Sequence, residues 1–392
     1  MMQEECKKVK IFCAHTSSNQ HPNGIRHINI ARILNSLGYE VTVYGIGTSE
    51  NQVYACDDII CYDWKPFYSK NVIIRSNKIN KYMISKLTDA LKDLSIGDII
   101  ISAFGSEKPK YRKFIRDYAH KNHITFMESI VEWYNIYNYT LKYKYRFFIN
   151  ELTMRYGNKS SKSIISISTF LADYYAKQKC NTIYIPTLID KEEYKDCKHN
   201  KNDRLTIMYA GSPGKKDCIL NAIYALGQLS DEELKKIRFV IFGVTESKLK
   251  QLGLTDEFLN KVGDALEIRG RIPQEEVKGN IASADYTVLL RKNTRNANAG
   301  FSTKVGESMA CGTPVIANYT GDLDKYIFDE KTGLVCPNES IESCASVYRK
   351  ALAMTEEQYM NMRENAQKTA FESFDYREYT DLLKEFIKKA KR

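Results

Sequence analysis

Short apolar runs alternate with segments of helical periodicity along the whole chain. In the first half, the pattern predicts strands at residues 9–13, 40–44, 99–102, 124–127, 163–167 and 182–185. Helices are predicted between or after them, at residues 25–37, 81–94, 108–121 and 169–178. Strands that alternate with helices in this way normally form a parallel sheet, whose ligands bind at the carboxyl ends of the strands.

A second alternation begins after a polar stretch at residues 197–203. Strands are predicted there at residues 205–210, 238–242, 265–268, 286–290 and 314–317, with a helix at 217–229 and a mostly helical tail at 340–392. Two successive α/β sheets imply two domains, residues 1–187 and residues 188–372. A C-terminal helix at 373–392 would follow, either separate or packed back on the first domain.

Residues 298–318, NAGFSTKVGESMACGTPVIAN, combine a loop, a short helix and a strand. Ser302 or Thr303 is in position to cap the helix, Gly312 provides a left-handed end, and Pro314 begins the strand. Apolar residues spaced four apart on this helix are expected to pack on the sheet.

Two charged residues of this helix indicate a binding site. Lys304 lies in the first turn and Glu307 in the second, on a face next to the apolar one. A helix N-terminus favours a phosphate, and a nearby lysine strengthens that preference. A carboxylate one turn further suits a pair of hydroxyls, as on a ribose. The alternative is an ordinary surface ion pair, because a single glycine-bearing turn is a weak signal.

The charge of the chain favours anionic partners. The sequence has 58 Lys and Arg against 48 Asp and Glu, a formal net charge of +10, which suits nucleotides or acidic lipid headgroups. Nucleic acid is disfavoured, since the sequence has no finger, RNP-like or helix-turn-helix signature. No apolar run approaches the roughly 20 residues of a membrane-spanning helix, and the N-terminus lacks a signal-peptide core, so a cytoplasmic location is expected.

Neither the cysteines nor the acidic residues form a metal-binding motif. The ten cysteines occur singly, without paired CxxC or Cys/His spacing, and reduced, mostly buried thiols are expected. Asp57 and Asp58 are adjacent but precede an ordinary predicted strand, so no DxD-type metal site is predicted. The loop at residues 15–26 lacks a GxGxxG pattern, which disfavours a dinucleotide cofactor.

Five stretches, taken in order, resemble the retaining glycosyltransferases of family four, which have the GT-B fold. They are GIRHINIARILNSLGYEVTVYG, SISTFLADYYA followed by IPTLID, YAGSPGKKD, RGRIPQEEVKGNIASADYTVLL, and the stretch at residues 298–318. Each is loose alone, but five in the family's order are specific and span nearly the whole chain. The resemblance implies an α/β protein with two facing Rossmann-like domains and an interdomain cleft.

The resemblance also implies a donor site in the second domain. The diphosphate of a nucleotide sugar would lie near Lys304 and near Lys216, which is at the predicted start of a helix. Glu307 would hold the ribose hydroxyls. These three are the implied catalytic residues. The other implied donor-binding residues are Gly211, Ser212, Lys215, Arg271, Ile272, Gly300, Phe301, Ser302 and Thr303. Of these, the backbone of Arg271 and Ile272 would lie along the base, and that of the last four would face the sugar and phosphates.

The implied chemistry is a front-face displacement with retention, in which the leaving phosphate helps to deprotonate the acceptor. Catalysis is then mainly positioning and electrostatic stabilisation of the leaving group, which lysines can supply without a metal or other cofactor. The family commonly has a second glutamate eight positions before Glu307, where this chain has Ala299. The carboxylate that would contact the donor sugar is therefore missing.

Candidate acceptor residues lie in the first domain. His15, His21 and Gly24 fall in the loop after the first predicted strand, and Glu132 follows the predicted strand at 124–127, as do Glu128 and Trp133. Loops at strand ends are where such residues are expected. The alternatives are solvent-exposed loop histidines and, for Glu132, a pairing with a nearby lysine.

The segment at residues 137–148, YNYTLKYKYRFF, interleaves aromatic rings with Lys142, Lys144 and Arg146. Rings and cations together suit the surface of a membrane that carries anionic lipid. The alternative is a helix that packs its rings on the sheet and leaves its cations in water.

The sequence therefore predicts a cytoplasmic glycosyltransferase, soluble or peripheral on the inner face of the membrane. It would transfer a hexose from a nucleotide-diphosphate sugar to a glycan or lipid-linked acceptor, in bacterial surface-polysaccharide synthesis by resemblance. Two alternatives remain: a nucleotide-sugar epimerase with the same fold, which would need acid/base groups that are not assignable, and a catalytically silent nucleotide-binding subunit, which the Ala299 departure favours.

Overall fold

The computed structural model describes residues 6–17, 22–47, 51–65, 72–138, 144–199, 202–214 and 216–391. The chain divides into two compact units. The first unit comprises Met1–Leu188 and Tyr376–Arg392, and the second comprises Ile189–Asp375. The divisions predicted from the sequence follow residues 187 and 372.

One sheet organises the first unit. Its strands are β1 (Lys8–Cys13), β2 (Glu40–Ile46), β3 (Gln52–Cys56), β4 (Ile59–Trp64), β5 (Ile99–Ala103), β6 (Thr125–Ile130), β7 (Ser163–Ser166) and β8 (Asn181–Tyr184). Among the described residues, they lie in the order β3-β4-β2-β1-β5-β6-β7-β8, and β3 alone of these runs antiparallel to its neighbour. The strand order reverses between β1 and β5, which is where sheets of this type bind ligands.

Helices cover both faces of this sheet. They are α1 (Pro22–Ser36), α2 (Val72–Leu91), α3 (Pro109–Lys121), α4 (Tyr145–Leu152) and α5 (Thr169–Ala176). Alternate residues of β1 point to opposite faces, so Ile11 packs with α1 while Phe12 packs with α2 and α3. Burial of each such side chain contributes about 1.5–3 kcal/mol.

A second sheet organises the second unit. Its strands are β9 (Leu205–Ala210), β10 (Ile237–Phe242), β11 (Leu266–Gly270), β12 (Tyr286–Leu289), β13 (Val315–Ala317) and β14 (Gly333–Val335). Among the described residues, they lie in the order β11-β10-β9-β12-β13-β14, and all of these pairs are parallel. Here the strand order reverses between β9 and β12.

The helices that follow complete the chain. They are α6 (Ile219–Tyr224), α7 (Asp231–Leu234), α8 (Glu246–Leu252), α9 (Asp256–Val262), α10 (Gln274–Ser283), α11 (Arg295–Ala299), α12 (Thr303–Ala310), α13 (Ile341–Ala353), α14 (Glu356–Phe374) and α15 (Thr380–Ala390). The last of these packs in the first unit, where Leu383, Phe386 and Ile387 enter the core formed by α1 and the sheet. The prediction of two α/β units with parallel sheets is confirmed.

Several predicted elements are wrong in detail. The strands β3 and β14 are missed, because β3 is an exposed edge and β14 has three residues. The helix predicted at residues 81–94 is α2, which begins at Val72 and ends at Leu91. The helix predicted at residues 217–229 begins only at Ile219 and ends at Tyr224, followed by a 3-10 turn, Ala225–Gln228.

Candidate functional site

The helix α12 forms as the sequence predicts. Its apolar residues Val305 and Met309 are fully buried, and Gly312 ends the helix with a φ of 70°. Ser302 occupies the N-cap position, although its side chain makes no capping hydrogen bond and is itself buried. The first turn of α12 therefore starts at Thr303 and presents Lys304 beside the carboxyl ends of β9 and β12.

Lys304 is held by the side chains of Tyr209, which lies in β9, and Asp217, which follows that strand. Its Nζ donates a hydrogen bond of 2.9 Å to the Tyr209 hydroxyl and lies 4.2 Å from the centre of that ring. The Tyr209 hydroxyl in turn donates to Asp217 Oδ2 at 3.2 Å, and this oxygen is 3.7 Å from Lys304 Nζ. The ammonium group is thus fixed at the point where the strand order of the second unit reverses.

Two glycines allow close packing beside Lys304. A Cβ on Gly211 would lie 2.8 Å from Lys304 Cε, and a Cβ on Gly243 would lie within 2.9 Å of the Gly211 backbone. Gly211 has a φ of 120° and Gly243 a φ of 89°, conformations that favour glycine. The loops after β9 and β10 are therefore in close backbone contact, and the Lys304 side chain packs against the first of them.

A buried ion pair between Asp217 and Arg291 completes the cluster around Lys304, whose other member is Tyr209. Arg291 Nε donates to Asp217 Oδ1 at 2.8 Å, and the two side chains are 8% and 5% exposed. Arg291 follows β12, and its backbone exchanges two hydrogen bonds of 2.8 Å with the side chain of Asn318, which follows β13. The pair thus joins the strand ends on both sides of the reversal point.

Sequence reasoning missed Tyr209, Asp217 and Arg291. Their weak signals were a carboxylate directly after two lysines and an arginine directly after a predicted strand. Neither signal shows that residues 74 positions apart form a pair.

The charges of this cluster shift its pKa values. Burial lowers the pKa of Lys304 to about 8; Asp217 opposes the shift, and the positive charges of Arg291 and Lys216 add to it. Glu307 keeps part of its surface exposed, yet desolvation raises the pKa of its carboxyl to about 7. Burial would raise the pKa of Asp217, but Arg291 and Lys304 hold it below its usual value. The site thus carries the positive charges of Lys304, Arg291 and Lys216, of which the Asp217 carboxylate balances one.

Lys216 does not lie at the start of a helix, contrary to the prediction. Cys218 is the N-cap of α6, and its backbone N–H donates to Leu290 O at 2.8 Å, which keeps the chain extended past Lys216. Lys216 remains close enough to Lys304 to lower its pKa. Ser212 is exposed, and Lys215 lies outside the described residues.

Arg271 and Ile272 lie in the loop after β11, next to the glycine contact. Gly243 N donates to Gly270 O at 2.6 Å, which brings this loop beside the loops after β9 and β10. The Arg271 side chain is exposed, whereas Ile272 packs on the apolar face formed by Met208, Val240 and Phe242.

The chain before α12 is more ordered than the predicted loop. Residues up to Ala299 form the short helix α11, which Thr294 caps. Gly300 is buried, Thr303 is half-buried, and the Phe301 ring packs 5.6 Å from the rings of Tyr326 and Phe374. The Phe301 side chain therefore anchors the segment in the core.

Ala299 has no exposed surface. The family that this chain resembles commonly carries a glutamate at this position. Here the position holds a small side chain that is enclosed in the core of the second unit.

In the first unit, predicted acceptor residues meet at the reversal between β1 and β5. His15 Nε2 lies 3.0 Å from Glu107 Oε2, and both side chains are partly exposed. The hydrogen bond to Glu107 raises the pKa of His15; burial opposes it, and the charge of Glu132 adds a smaller rise. Glu132 is half-buried. The predicted His15 and Glu132 are thus neighbours, and Glu107 is an unpredicted third member.

Gly24 does not lie in a loop, contrary to the prediction. The helix α1 already begins at Pro22, a residue type that suits the first helical position, so Gly24 is buried in its first turn. His21 lies outside the described residues.

Glu128 does not follow a strand end, because β6 extends to Ile130. It is buried and pairs with Arg112 of α3, with 2.6 Å between Glu128 Oε1 and Arg112 Nε. Burial raises the pKa of the Glu128 carboxyl, an effect that Arg112 opposes. Trp133 is also buried, and its indole N–H donates to Glu151 at 2.8 Å.

The described residues contain no group of three or more His, Cys, Asp or Glu side chains able to hold a metal ion. All ten cysteines are free thiols. None of the helices in the described ranges is both long and apolar enough to cross a bilayer.

Comparison with known proteins links the site to a family. Residues 190–369, nearly all of the second unit, match the model of the family described as glycosyl transferases group 1. The curated proteins include no significant match to the chain.

Solved structures share the fold of the whole chain at low sequence identity. A sucrose-phosphate synthase from Thermosynechococcus elongatus has a TM-score of 0.73 and 14% identity, with 98% of both chains covered. Anabaena HepE in complex with UDP-glucose has a TM-score of 0.68 and 12% identity, over 97% of this chain and 99% of that one. The lipopolysaccharide outer core galactosyltransferase WaaB has a TM-score of 0.63 and 13% identity, over 97% and 99%.

Proposed function

The second unit is a glycosyl transferases group 1 domain within a chain of GT-B fold, and from this premise we propose that the protein is a retaining hexosyltransferase. It transfers a sugar from a nucleotide-diphosphate donor to a glycan or lipid-linked acceptor in bacterial surface-polysaccharide synthesis. The Lys304 cluster carries the proposal, because it fixes an ammonium group at the strand reversal beside the N-terminus of α12. The likeness to WaaB supports the polysaccharide context.

The donor diphosphate binds at Lys304 in this proposal. Lys216 adds positive charge, whereas the charge of Arg291 is balanced by Asp217, and N–H groups at the start of α12 add hydrogen-bond donors. As the bond from the anomeric carbon to the diphosphate oxygen breaks, the acceptor hydroxyl bonds to that carbon on the same face. The hydroxyl proton passes to a departing phosphate oxygen. Lys304 stabilises the charge that develops on the leaving group.

Glu307 binds the ribose hydroxyls as a carboxylate. It lies one turn beyond Lys304, and its raised pKa means that a fraction of the molecules is protonated at neutral pH. His15, Glu107 and Glu132 are the candidate acceptor-binding groups, because they meet at the ligand-binding end of the first sheet.

We expect the affinity for a UDP-sugar to be highest between about pH 7 and pH 8. Lys304 binds phosphate when protonated, so affinity falls as the pH rises through its pKa of about 8. Glu307 accepts hydroxyl hydrogen bonds when ionised, so affinity falls as the pH drops through its pKa of about 7. Titration calorimetry across this range measures both limbs of the pH profile, the acidic and the alkaline decrease in affinity.

Two variants assign the limbs of that profile. Glu307→Gln should flatten the acidic limb, and Lys304→Arg should flatten the alkaline limb, because arginine stays charged throughout. An alkaline limb that persists in Lys304→Arg would show that another group controls it.

A donor panel tests the proposed function directly. The protein is incubated with UDP-, GDP- and ADP-sugars, with and without EDTA, and its thermal shift and donor turnover are measured with glycan and lipid-linked acceptors. UDP-glucose is the first choice, because HepE binds it. We expect stabilisation by at least one donor, unchanged by EDTA, and a product whose anomeric configuration matches the donor. If no nucleotide shifts the unfolding temperature, the proposal fails.

A silent nucleotide-binding subunit is the second candidate. Ala299 favours this function, because it stands where a carboxylate would contact the donor sugar, and the alanine side chain is enclosed. Stabilisation by a nucleotide without turnover on any acceptor in the panel would identify this second function.

A further inference from the structure

An exposed apolar stripe runs along a helical segment of the first unit. The segment consists of α4, one π-helical turn (Thr153–Gly157) and one 3-10 turn (Asn158–Ser161). The helix stripe comprises Tyr145, Phe148, Leu152 and Tyr156, whose side chains are 55%, 61%, 61% and 60% exposed. Their spacing of three and four residues places them on one face.

The opposite face of this segment is firmly anchored. Asn150, Thr153, Met154 and Asn158 are buried. Asn158 Nδ2 donates to the Tyr175 hydroxyl at 2.9 Å, and that hydroxyl donates to Met154 O at 2.7 Å. Asn150 Nδ2 donates to Ser106 Oγ at 2.7 Å. The helix stripe is therefore displayed by a helix whose other side is fixed in the unit.

Basic side chains flank the helix stripe. Residues 144–162 contain five basic residues, Lys144, Arg146, Arg155, Lys159 and Lys162, all of them exposed. Their acidic counterpart in this range is Glu151, which is largely buried and binds Arg155 and the Trp133 indole, each at 2.8 Å. Exposed apolar rings are thus bordered by positive charge.

We propose that this face docks on a bilayer that contains anionic lipid. A helix that lies in a membrane interface inserts its apolar side by roughly 5–10 Å and places basic residues at the headgroup phosphates. The helix stripe supplies the apolar side, and Lys144, Arg146 and Lys159 supply the flanking charge. Their long side chains can reach phosphates while the rings are buried.

Charge complementarity favours a lipid surface over a protein partner. The cations border the stripe along most of its length, which suits the continuous negative charge of lipid phosphates. Other exposed apolar side chains of the first unit, such as Val53 and Ile96, lie far along the chain from this segment and need no such explanation.

The docking face differs from the segment that the sequence indicated. Of that segment, Tyr139, Lys142 and Tyr143 lie outside the described residues, and Phe147 is half-buried. The face instead continues towards the C-terminus through Leu152 and Tyr156, because the helical segment extends beyond residue 148.

Vesicle flotation of the full-length protein tests the proposal. One set of vesicles contains phosphatidylcholine alone, and in the other phosphatidylglycerol replaces about a third of it. We expect binding to the anionic vesicles that weakens with added salt. Phe148→Ser with Leu152→Ser should reduce the partition coefficient at least about tenfold. Lys144→Gln with Lys159→Gln should reduce it by roughly fivefold for each charge removed.

Matched controls alter the same residue types elsewhere in the first unit. Val53→Ser with Ile96→Ser removes apolar side chains of 65% and 70% exposure, and Lys92→Gln with Lys388→Gln removes two exposed charges. These variants should bind like the unaltered protein, and all variants should keep its unfolding temperature.

Three outcomes would overturn the proposal: no binding to anionic vesicles, equal loss in the matched controls, or full binding by the Phe148→Ser, Leu152→Ser variant. Sedimentation without lipid adds a further check. If the unaltered protein self-associates and the Phe148→Ser, Leu152→Ser variant does not, the helix stripe is an interface between copies of the chain. That result would also refute lipid docking. None of these results depends on glycosyl transfer, so the proposal stands or falls separately from the proposed function.

Discussion

Replacement of Lys304 by alanine is expected to weaken binding of the donor diphosphate by about 10- to 100-fold, the usual value of a hydrogen bond to a charged group. The rate of sugar transfer should fall by about 10²- to 10³-fold, because the charge that stabilises the leaving group is lost in the transition state. The fold should survive, because the Lys304 side chain is 27% exposed and the Asp217–Arg291 pair keeps its contacts. Calorimetry and initial rates measure the two effects.

Lys331→Ala is the matched control for this prediction. It removes an exposed lysine of the same unit, and we expect it to change neither affinity nor rate. If Lys304→Ala and Lys331→Ala weaken binding equally, net charge rather than the Lys304 position governs the interaction.

Replacement of Asp217 by alanine is expected to have the largest effect on stability. The Arg291 guanidinium would remain buried without its carboxylate, a change that costs about 3–5 kcal/mol. In a unit of this size, that loss lowers the unfolding temperature by roughly 6–20 °C. Calorimetry of the full chain measures this fall in unfolding temperature. The transition of the second unit is the one that a nucleotide diphosphate shifts.

A double-mutant cycle separates the ion pair from general disturbance of the site. Asp217→Ala with Arg291→Met should cost clearly less than the sum of the two single changes, because no unpaired charge remains. Asp264→Ala is the control, since Asp264 pairs with Arg204 in an exposed bridge at 2.9 Å and should contribute about 0–1 kcal/mol. Strict additivity of the two site variants would contradict the assigned pairing.

Local patterns were sufficient to predict most strands and the helix α12. Runs such as Ile99–Ala103 are mostly apolar because both faces of a parallel strand are covered. The strand β3 escaped prediction because it is an edge whose residues are mostly exposed, so its sequence carries little apolar signal. The start of α6 was misplaced because a contact with Leu290, distant in sequence, keeps the preceding chain extended.

The candidate site was predictable only in part. Lys304 and Glu307 could be proposed from their spacing on one helix and from the family resemblance. Their electrostatic environment could not, since Tyr209, Asp217 and Arg291 come from β9, the loop after it and the chain after β12, which meet only when the sheet forms. The same limit applies to Glu107, which joins His15 from a loop far along the chain.

The packing of α15 affects how the protein is made. The first unit needs Leu383, Phe386 and Ile387 to complete its core, whereas the second unit is continuous from Ile189 to Asp375. During translation, the first unit therefore cannot complete its core until α15 has been synthesised, after the whole of the second unit. Until then, the part of the apolar core that α15 covers stays exposed, and transiently exposed apolar surface of this kind promotes aggregation.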